Sequence, residues 1–430
     1  MYTTSDVERP RRIAPYVPLL PPSPWQRTDS VMAVAIFLGS LALYTSDLAR
    51  TLTSTSFDSP ELITKSAQLR LAHIPGSPVY VWLGHLFSWL PFGEVAARVS
   101  WMSAVMGSLA VTCLFAVIRR HVTRERLTAV GGALFFGLSI TFWSQAVIAE
   151  LYAPSIAFLA LVLLALLEWG SASGGASTRG RWWLAAAAGA FGLSLGIHLS
   201  NTLYLPAFGL FALLGWPARG TGARVPLLRR FDLVGGLLCV LVGSAAAVVP
   251  YVWVYYQLPL VPPGDSFPQA APGWPLFYET TFNAFHSFRF GYTLQEVPDR
   301  VVLFLHLLSR NLGPAGVALM LVGLWRLLFT RLRTFFLLVA MAVANLVFYV
   351  NYKVPDNDVY YIPSYLIAAC CVGAGLDVVA AAVGATLKSA QPSGQPAGQV
   401  PSVGRSAGGS IGLLAWVPHF GPAAVWLPTL

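Results

Sequence analysis

Ten runs of about twenty mostly apolar residues divide this 430-residue chain, and arginines gather in alternate gaps between them. A helix needs roughly 20 apolar residues to cross the hydrocarbon core of a bilayer. The runs fall at 31–49, 97–118, 127–146, 152–170, 182–197, 199–216, 233–256, 311–329, 334–350 and 359–384. Only 10% of the residues are charged, against about 25% in soluble domains. Such a chain has too little charge to dress a water-exposed surface, which excludes a soluble enzyme. The fold class is therefore an all-α polytopic membrane protein with about ten transmembrane helices.

The arginine clusters set the orientation. Arg119, Arg120, Arg124 and Arg126 share one loop, and Arg179 and Arg181 another. Arg219, Arg224, Arg229 and Arg230 share a third, and Arg326, Arg331 and Arg333 a fourth. Basic loops stay on the cytoplasmic side, so both termini are expected inside. The net charge of +9 comes from 24 Arg and 3 Lys scattered between spans. No basic face of the kind nucleic acid requires is present, and nucleic acid is not an expected partner. The first apolar run starts too late for an ordinary secretory signal and has no small-residue cleavage site after it. Residues 1–30 read as a disordered cytoplasmic segment and 386–430 as a low-complexity tail.

Residues 76–91 are apolar enough to span, but counting them would put the Arg119–Arg126 cluster outside. Val79, Trp82, Leu83, Leu86, Phe87 and Leu90 recur at helical spacing and form one stripe. Such a helix can lie along the interface, so 60–92 is placed on the outer membrane face. The second long outer segment, 257–300, carries Trp274, Phe277, Tyr278, Phe282, Phe285, Phe288, Phe290 and Tyr292. It reads as an interfacial aromatic belt or as a wall that stacks sugar or peptide. Eleven of the 18 acidic residues fall on or near the outer face, which points to that face for the chemistry. Cys113, Cys239, Cys370 and Cys371 all lie in apolar runs and form neither a disulfide framework nor a zinc site.

Asp58 and Glu61 follow the first span, three residues apart in Phe57-Asp58-Ser59-Pro60-Glu61. They suit a capping arrangement at a helix start, or a general base at headgroup depth that takes a hydroxyl proton. His73 sits in a turn forced by Pro75, Gly76 and Pro78, either as a satisfied polar residue or as a donor to phosphate or sugar. Glu150 and His198 occupy two near-loopless outer hairpins. An ionisable group so close to apolar helices is a functional candidate. Arg310 breaks the charge pattern at the outer end of a span; it either snorkels to headgroups or pairs with an anionic lipid phosphate. Lys353, Asp356 and Asp358 share the last outer hairpin. No Walker A loop, His/Cys metal cluster or Gly-x-Ser-x-Gly occurs, so nucleotide hydrolysis and serine-nucleophile chemistry lack support.

Taken together, several of these segments resemble the polytopic family labelled domain of unknown function 2723. They are Asp58-Ser59-Pro60-Glu61, Leu71-Ala72-His73-Ile74-Pro75-Gly76, Phe142-Trp143-Ser144-Gln145-Ala146, Ala149-Glu150-Leu151-Tyr152-Ala153, Gly196-Ile197-His198 and Tyr360-Tyr361-Ile362-Pro363-Ser364-Tyr365. The resemblance covers residues 30–385. That family is regarded as part of the GT-C glycosyltransferases, and an animal member is a protein O-mannosyltransferase. The resemblance implies a GT-C-like catalytic body over 31–385 with interfacial helices in its first external loop. It also implies a lipid-phosphate-linked sugar donor, an outward-facing acceptor and an acidic residue after the first helix, the position Asp58 holds. Pro60 stands where the family usually has glycine.

The expectation is an integral-membrane glycosyltransferase, with Asp58 and Glu61 as catalytic residues. His73, Glu150, His198, Arg310, Lys353 and Asp356 are the expected substrate-binding residues. Its donor is a polyprenyl-phosphate sugar, with mannose favoured, and its acceptor a protein or glycan. Membrane lipid is the other partner; no cofactor is implied and no metal ligands are assigned. A transporter or flippase for a lipid-linked or anionic solute is the alternative, although no internal repeat of the kind transporters favour is evident. The arginine bias and the absence of an Asn-x-Ser/Thr sequon lean towards a bacterial plasma membrane, with the N-terminus cytoplasmic.

Overall fold

The computed structural model describes residues 22–51, 58–172, 177–213, 216–217, 224–225, 233–261, 270–283, 291–354 and 357–390. Helices dominate, and a two-residue antiparallel ladder pairs Trp216–Pro217 with Arg224–Val225. In chain order the helices are α1 (Arg27–Ser46), α2 (Ser59–Gln68), α3 (Pro78–Ser88), α4 (Val95–Val117), α5 (Arg126–Gly137), α6 (Ile140–Ala146) and α7 (Tyr152–Ser171). There follow α8 (Thr178–Leu195), α9 (Leu205–Leu213), α10 (Leu233–Gln257), α11 (Trp274–Tyr278), α12 (Val297–Thr330), α13 (Leu332–Val350) and α14 (Ile362–Ala390). Short 3₁₀ turns at Leu199–Tyr204 and Asn357–Tyr361 lead into α9 and α14. The chain divides into units 1–384 and 385–430; of the second, residues 385–390 are described and belong to the last turns of α14.

Every expected apolar run is helical. Among the described residues, seven helical segments are long and apolar enough to cross a membrane, and the bent pair α5–α6 makes an eighth, with a 70° angle at its break. The expected spans at 182–197 and 199–216 fall short of that standard. Arg179, Arg181 and small residues dilute α8, and Leu199–Leu213 is too short to cross at 1.5 Å per residue. The N-terminal segment is ordered earlier than expected: α1 starts at Arg27, and Ser23 is buried, its amide donating to the Arg120 carbonyl at 2.8 Å. The low-complexity tail lies outside the described residues from 391 onwards.

Helices α4 and α7 form the centre. Most of their residues are buried, whereas α1, α10 and α12 keep most of theirs on the outside, as lipid-facing helices do. Between α12 and α14 the approach is backbone to backbone. A Cβ on Gly323 would overlap the Cys371 carbonyl, and one on Gly375 the Leu319 carbonyl. Small residues at such crossings let membrane helices pack closely. Gly323→Ala should therefore cost about 1–3 kcal/mol by overpacking. An unfolding midpoint in detergent equal to wild type would contradict this contact.

Two local departures position the site. First, α12 extends back to Val297, well ahead of the expected start at 311, and is broken at Gly313 (φ 67°) and Pro314. Proline lacks the N–H that a continuous helix needs. Buried Asn311, just ahead of the break, ties it to the start of α6: its Oδ1 accepts from the Thr141 amide at 3.0 Å, and its Nδ2 donates to the Leu307 carbonyl at 2.8 Å. Second, α2 and α3 are short surface helices, as the stripe at 79–90 implied, but α3 is rotated. Val81, Gly84 and Ser88 face inward while Leu86 and Trp89 are exposed. A Cβ on Gly84 would strike Ser66 of α2, so glycine sets this close approach, and His85 Nδ1 donates to the Ser66 carbonyl at 2.9 Å.

The arginines of the 119–126 loop are not simply solvated. Arg119 and Arg126 each donate through Nε to Asp29 Oδ1 at 2.9 Å, with Asp29 fully buried. Arg120, His121 and Arg179 converge on Glu168 at the end of α7. Loop charge that the sequence pattern assigned to the aqueous face is folded into the end of the bundle. The four cysteines are free thiols.

Candidate active site

The site forms at the end of the bundle where α1 finishes and α7 begins. Trp143 Nε1 donates to Asp47 Oδ2 at 2.8 Å, and the Ala49 amide donates to the Val147 carbonyl at 2.9 Å. The chain leaving α1 is thereby held against the α6–α7 turn, which carries Glu150. Pro60 in the first turn of α2 suits the fixed φ of that position. Ser59 then reaches across, its Oγ donating to Glu150 Oε1 at 3.2 Å. Both residues are buried, at 2% and 5% exposure, so Glu150 serves as the anchor for the start of α2. Ser59→Ala is expected to lower stability by about 1.5–3 kcal/mol, the range for a hydrogen bond to a charged group. An unchanged unfolding midpoint would refute the anchor.

Asp58 and Glu61 do not cap this helix. Asp58 sits at the N-cap with helical backbone angles and no side-chain capping bond. Both carboxylates turn instead to His73: Nδ1 lies 3.0 Å from Glu61 Oε2 and Nε2 lies 3.7 Å from Asp58 Oδ2. Asp58 remains about half-exposed. The chain geometry behind this is local. Leu69 adopts a left-handed conformation (φ 51°) and ends α2, and Gly76 (φ 98°) and Ser77 (φ 38°) turn the chain into α3. Leu71 packs with Val254, Leu258 and Phe277. Ser77 Oγ donates to the Ile197 carbonyl at 3.2 Å, and the Val79 amide donates to the Gly196 carbonyl at 2.8 Å. Pinned on both sides, the 70–77 turn folds His73 back over the first turn of α2.

Burial works against protonation of His73, but the hydrogen bond it donates to Glu61 and the charges of Asp58, Glu61 and Glu150 outweigh it. The imidazole is raised above its ordinary value. Its neighbour His198 behaves oppositely: burial, reinforced by the charge of His73, pushes it down to about 4. His198 is therefore neutral near pH 7 and supplies no charge for a phosphate. Its Nδ1 bonds to Ser200 Oγ at 2.5 Å. Its ring lies 5.9 Å from Tyr152 and 5.8 Å from Tyr360, which are themselves 5.5 Å apart. Tyr349 and Tyr352 continue this aromatic shelf.

The remaining expected residues lie elsewhere. Arg310 is exposed at the break in α12, and among the described residues no hydrogen bond or ion pair joins it to the carboxylates. Lys353 is exposed too, with its Nζ 5.3 Å from the centre of the Tyr292 ring. Asp356 lies outside the described residues. Two residues not anticipated complete this second group. Arg300 stacks on Tyr292 at 4.6 Å, one turn ahead of Phe304, whose ring lies 5.0 Å from Tyr361. The buried Tyr361 hydroxyl and Arg300 Nε both lack a hydrogen-bond partner. Of the aromatics in the 257–300 segment, Phe277 is buried, whereas Trp274, Tyr278 and Phe282 are exposed around it. Phe285, Phe288 and Phe290 lie outside the described residues.

The short helices after the first span and the bent bundle of apolar helices make a GT-C-like fold, as likeness to solved structures shows. Solved membrane enzymes share it. ArnT from Cupriavidus metallidurans bound to undecaprenyl phosphate superposes with a TM-score of 0.53 at 19% identity, over 83% of this chain and 63% of that one. The Archaeoglobus fulgidus oligosaccharyltransferase tethered to an acceptor peptide gives 0.50 at 13% identity, over 83% and 50%. In sequence, residues 58–216 match the family model described as the protein O-mannosyl-transferase TMEM260 N-terminal domain. The mouse protein O-mannosyl-transferase TMEM260 is 28% identical over 273 residues, 63% of this chain and 35% of the mouse protein. A Dictyostelium discoideum protein of the same name is 28% identical over 109 residues, 25% of this chain and 13% of its own length. The chain thus spans about a third of the mouse relative. The resemblance read from the motifs is borne out, and Asp58, His73, Glu150 and His198 all lie within the matched segment.

Proposed function

We propose that this multi-pass membrane protein is a glycosyltransferase that moves a sugar from a polyprenyl-phosphate donor to an acceptor hydroxyl at the α2–α3 end of the bundle. The observation that carries the reading is Asp58, a half-exposed carboxylate free of capping duty and held beside His73, in a fold shared with an enzyme bound to undecaprenyl phosphate. Mannose is the favoured sugar and Ser/Thr of an exported protein the favoured acceptor, by likeness to the mouse relative. The arginine-rich end then faces the cytoplasm, and a bacterial plasma membrane is the proposed location.

In the reaction the acceptor oxygen attacks the anomeric carbon as its proton passes to the Asp58 carboxylate. The bond from that carbon to the phosphate oxygen breaks, and its electron pair leaves with the polyprenyl phosphate. One displacement from the opposite face inverts the anomeric centre. Cationic groups near the leaving phosphate offset its charge; Arg310 is assigned that part, with Arg300 and Lys353 as the neighbouring cations.

The test uses purified protein in nanodiscs with radiolabelled polyprenyl-phosphate mannose and a membrane-plus-periplasm extract. Label on protein that depends on Asp58 is the expected result. Label on lipid or glycan would replace the acceptor. No transfer with mannose, glucose or arabinose donors would overturn the reading.

A further inference from the structure

Both ring nitrogens of His73 face carboxylate oxygens, Nδ1 at 3.0 Å from Glu61 and Nε2 at 3.7 Å from Asp58. A neutral imidazole carries one N–H and one lone pair. In either tautomer it would set that lone pair against a carboxylate. Only the imidazolium, with two N–H groups, suits both neighbours at once. Without a cation between them, Asp58 and Glu61 would be like charges three residues apart, an arrangement that pushes the pair apart.

The groups around the ring agree with this. Asp58 and Glu61 face it from α2 and Glu150 from the α6–α7 turn, while His198, from the loop after α8, is neutral. From α10 the turn meets apolar Val254, packed at Gly76. Among the described residues, the charges that act on the imidazole are those of these three carboxylates.

We propose that His73 is a fixed internal cation: as imidazolium it spaces the Asp58 and Glu61 carboxylates and holds Asp58 in position to take the acceptor proton. Its place in catalysis rests on the proposed transferase reading, but its charge state does not. His73 acts through Asp58 and is a positioning residue. Glu61 takes the shorter bond and fixes the ring, leaving the Nε2–H aimed at Asp58 across the longer gap. That gap leaves room for Asp58 to engage an acceptor hydroxyl without losing its electrostatic partner.

The sign of the pH dependence follows. A histidine raised in the folded state contributes stability that is complete below the ordinary imidazole value. That contribution is lost as pH rises through the raised value. Transfer, which depends on the same cation, should fall as pH rises through that raised value and His73 deprotonates.

Full-length protein labelled with ¹⁵N-histidine in nanodiscs tests the charge state directly, because imidazole nitrogen shifts report how many nitrogens carry hydrogen. The His73→Gln spectrum identifies the His73 signals. The expected result at pH 7 is two protonated nitrogens at His73, with titration moved down towards the ordinary value in Glu61→Gln. In the transfer assay, kcat of His73→Gln should fall about 10- to 100-fold with KM little changed, and the alkaline limb should disappear. A singly protonated His73 at pH 7 would overturn the proposal, as would an alkaline limb that persists in His73→Gln. If His73→Gln fails to fold, His73→Asn supplies the assignment, and the Glu61→Gln titration then decides the matter. Should no donor give transfer, the nitrogen shifts still settle the cation, so the two readings fail separately.

Discussion

Asp58→Asn should abolish sugar transfer, lowering single-turnover transfer about 1,000-fold, while leaving stability within about 1 kcal/mol of wild type. The size follows from the role: a positioned general base contributes about 10²–10⁴ in rate, and an amide accepts no proton in the reaction. The small effect on stability follows from the geometry. Asp58 is about half-exposed and makes no capping bond to α2, and asparagine is as good an N-cap as aspartate. The 3.7 Å approach of Asp58 to His73 is a partly exposed ion pair, and such pairs contribute about 0.2–1 kcal/mol. Asp58→Glu keeps the charge but moves it by about one methylene. A misplacement of about 1 Å can cost 10²-fold, so this variant should be slow yet measurable. Transfer by Asp58→Asn above a tenth of the wild-type rate would remove Asp58 from the base role. The transferase itself would then need another base, and buried Glu150, bonded to Ser59, is poorly exposed for it.

Much of the architecture was legible from the order of apolar runs because lipid forces every span to satisfy its own backbone. Helical segments appear at all the expected positions, and the stripe from Val79 to Leu90 marked a short helix, Pro78–Ser88. Periodicity did not show which side of that stripe faces inward. Gly84 decides it, because α2 and α3 meet where no Cβ fits. In the site, Asp58, Glu61 and His73 were legible as candidates, but their union depends on a left-handed Leu69 and a turn stapled to Gly196 and Ile197. Such contacts join residues more than a hundred positions apart and leave no local spacing. Arg300 and Tyr361 were missed for a related reason: only the backward extension of α12 to Val297 puts Arg300 one turn before Phe304 and beside Tyr361. The charge pattern identified an arginine-rich end of the bundle but not the two acids buried within it. Asp29 and Glu168 are single carboxylates at helix ends, and acidic residues carry little weight in orientation.

Those acids account for the largest expected effect on folding. Glu168→Ala should destabilise the protein by about 3–5 kcal/mol, the cost of leaving buried charge without its partner. Glu168 is 4% exposed and accepts from Arg120, with Nη2 2.6 Å from Oε2, and from His121 Nε2 at 3.0 Å; Arg179 adds a third contact at 3.4 Å. Arg120 also donates through Nη1 to the Ser23 carbonyl at 2.8 Å, so the segment ahead of α1 depends on the same pair. Removing the carboxylate strands Arg120 and His121 where water reaches poorly. Glu168→Gln keeps an acceptor but not the charge and should fall between alanine and wild type. The decisive comparison is Glu168→Leu with Arg120→Met. A buried ion pair replaced by apolar residues of similar volume is often neutral or better, so the double variant should recover most of what Glu168→Ala loses, apart from the contributions of His121 and Ser23. Unfolding followed in detergent reads each case, and transfer per folded molecule should stay near wild type because this cluster sits at the other end of α1, α4 and α7 from Asp58. A Glu168→Ala protein that unfolds like wild type would mean that the arginines are adequately solvated without their acid, and that the orientation pattern alone explains them.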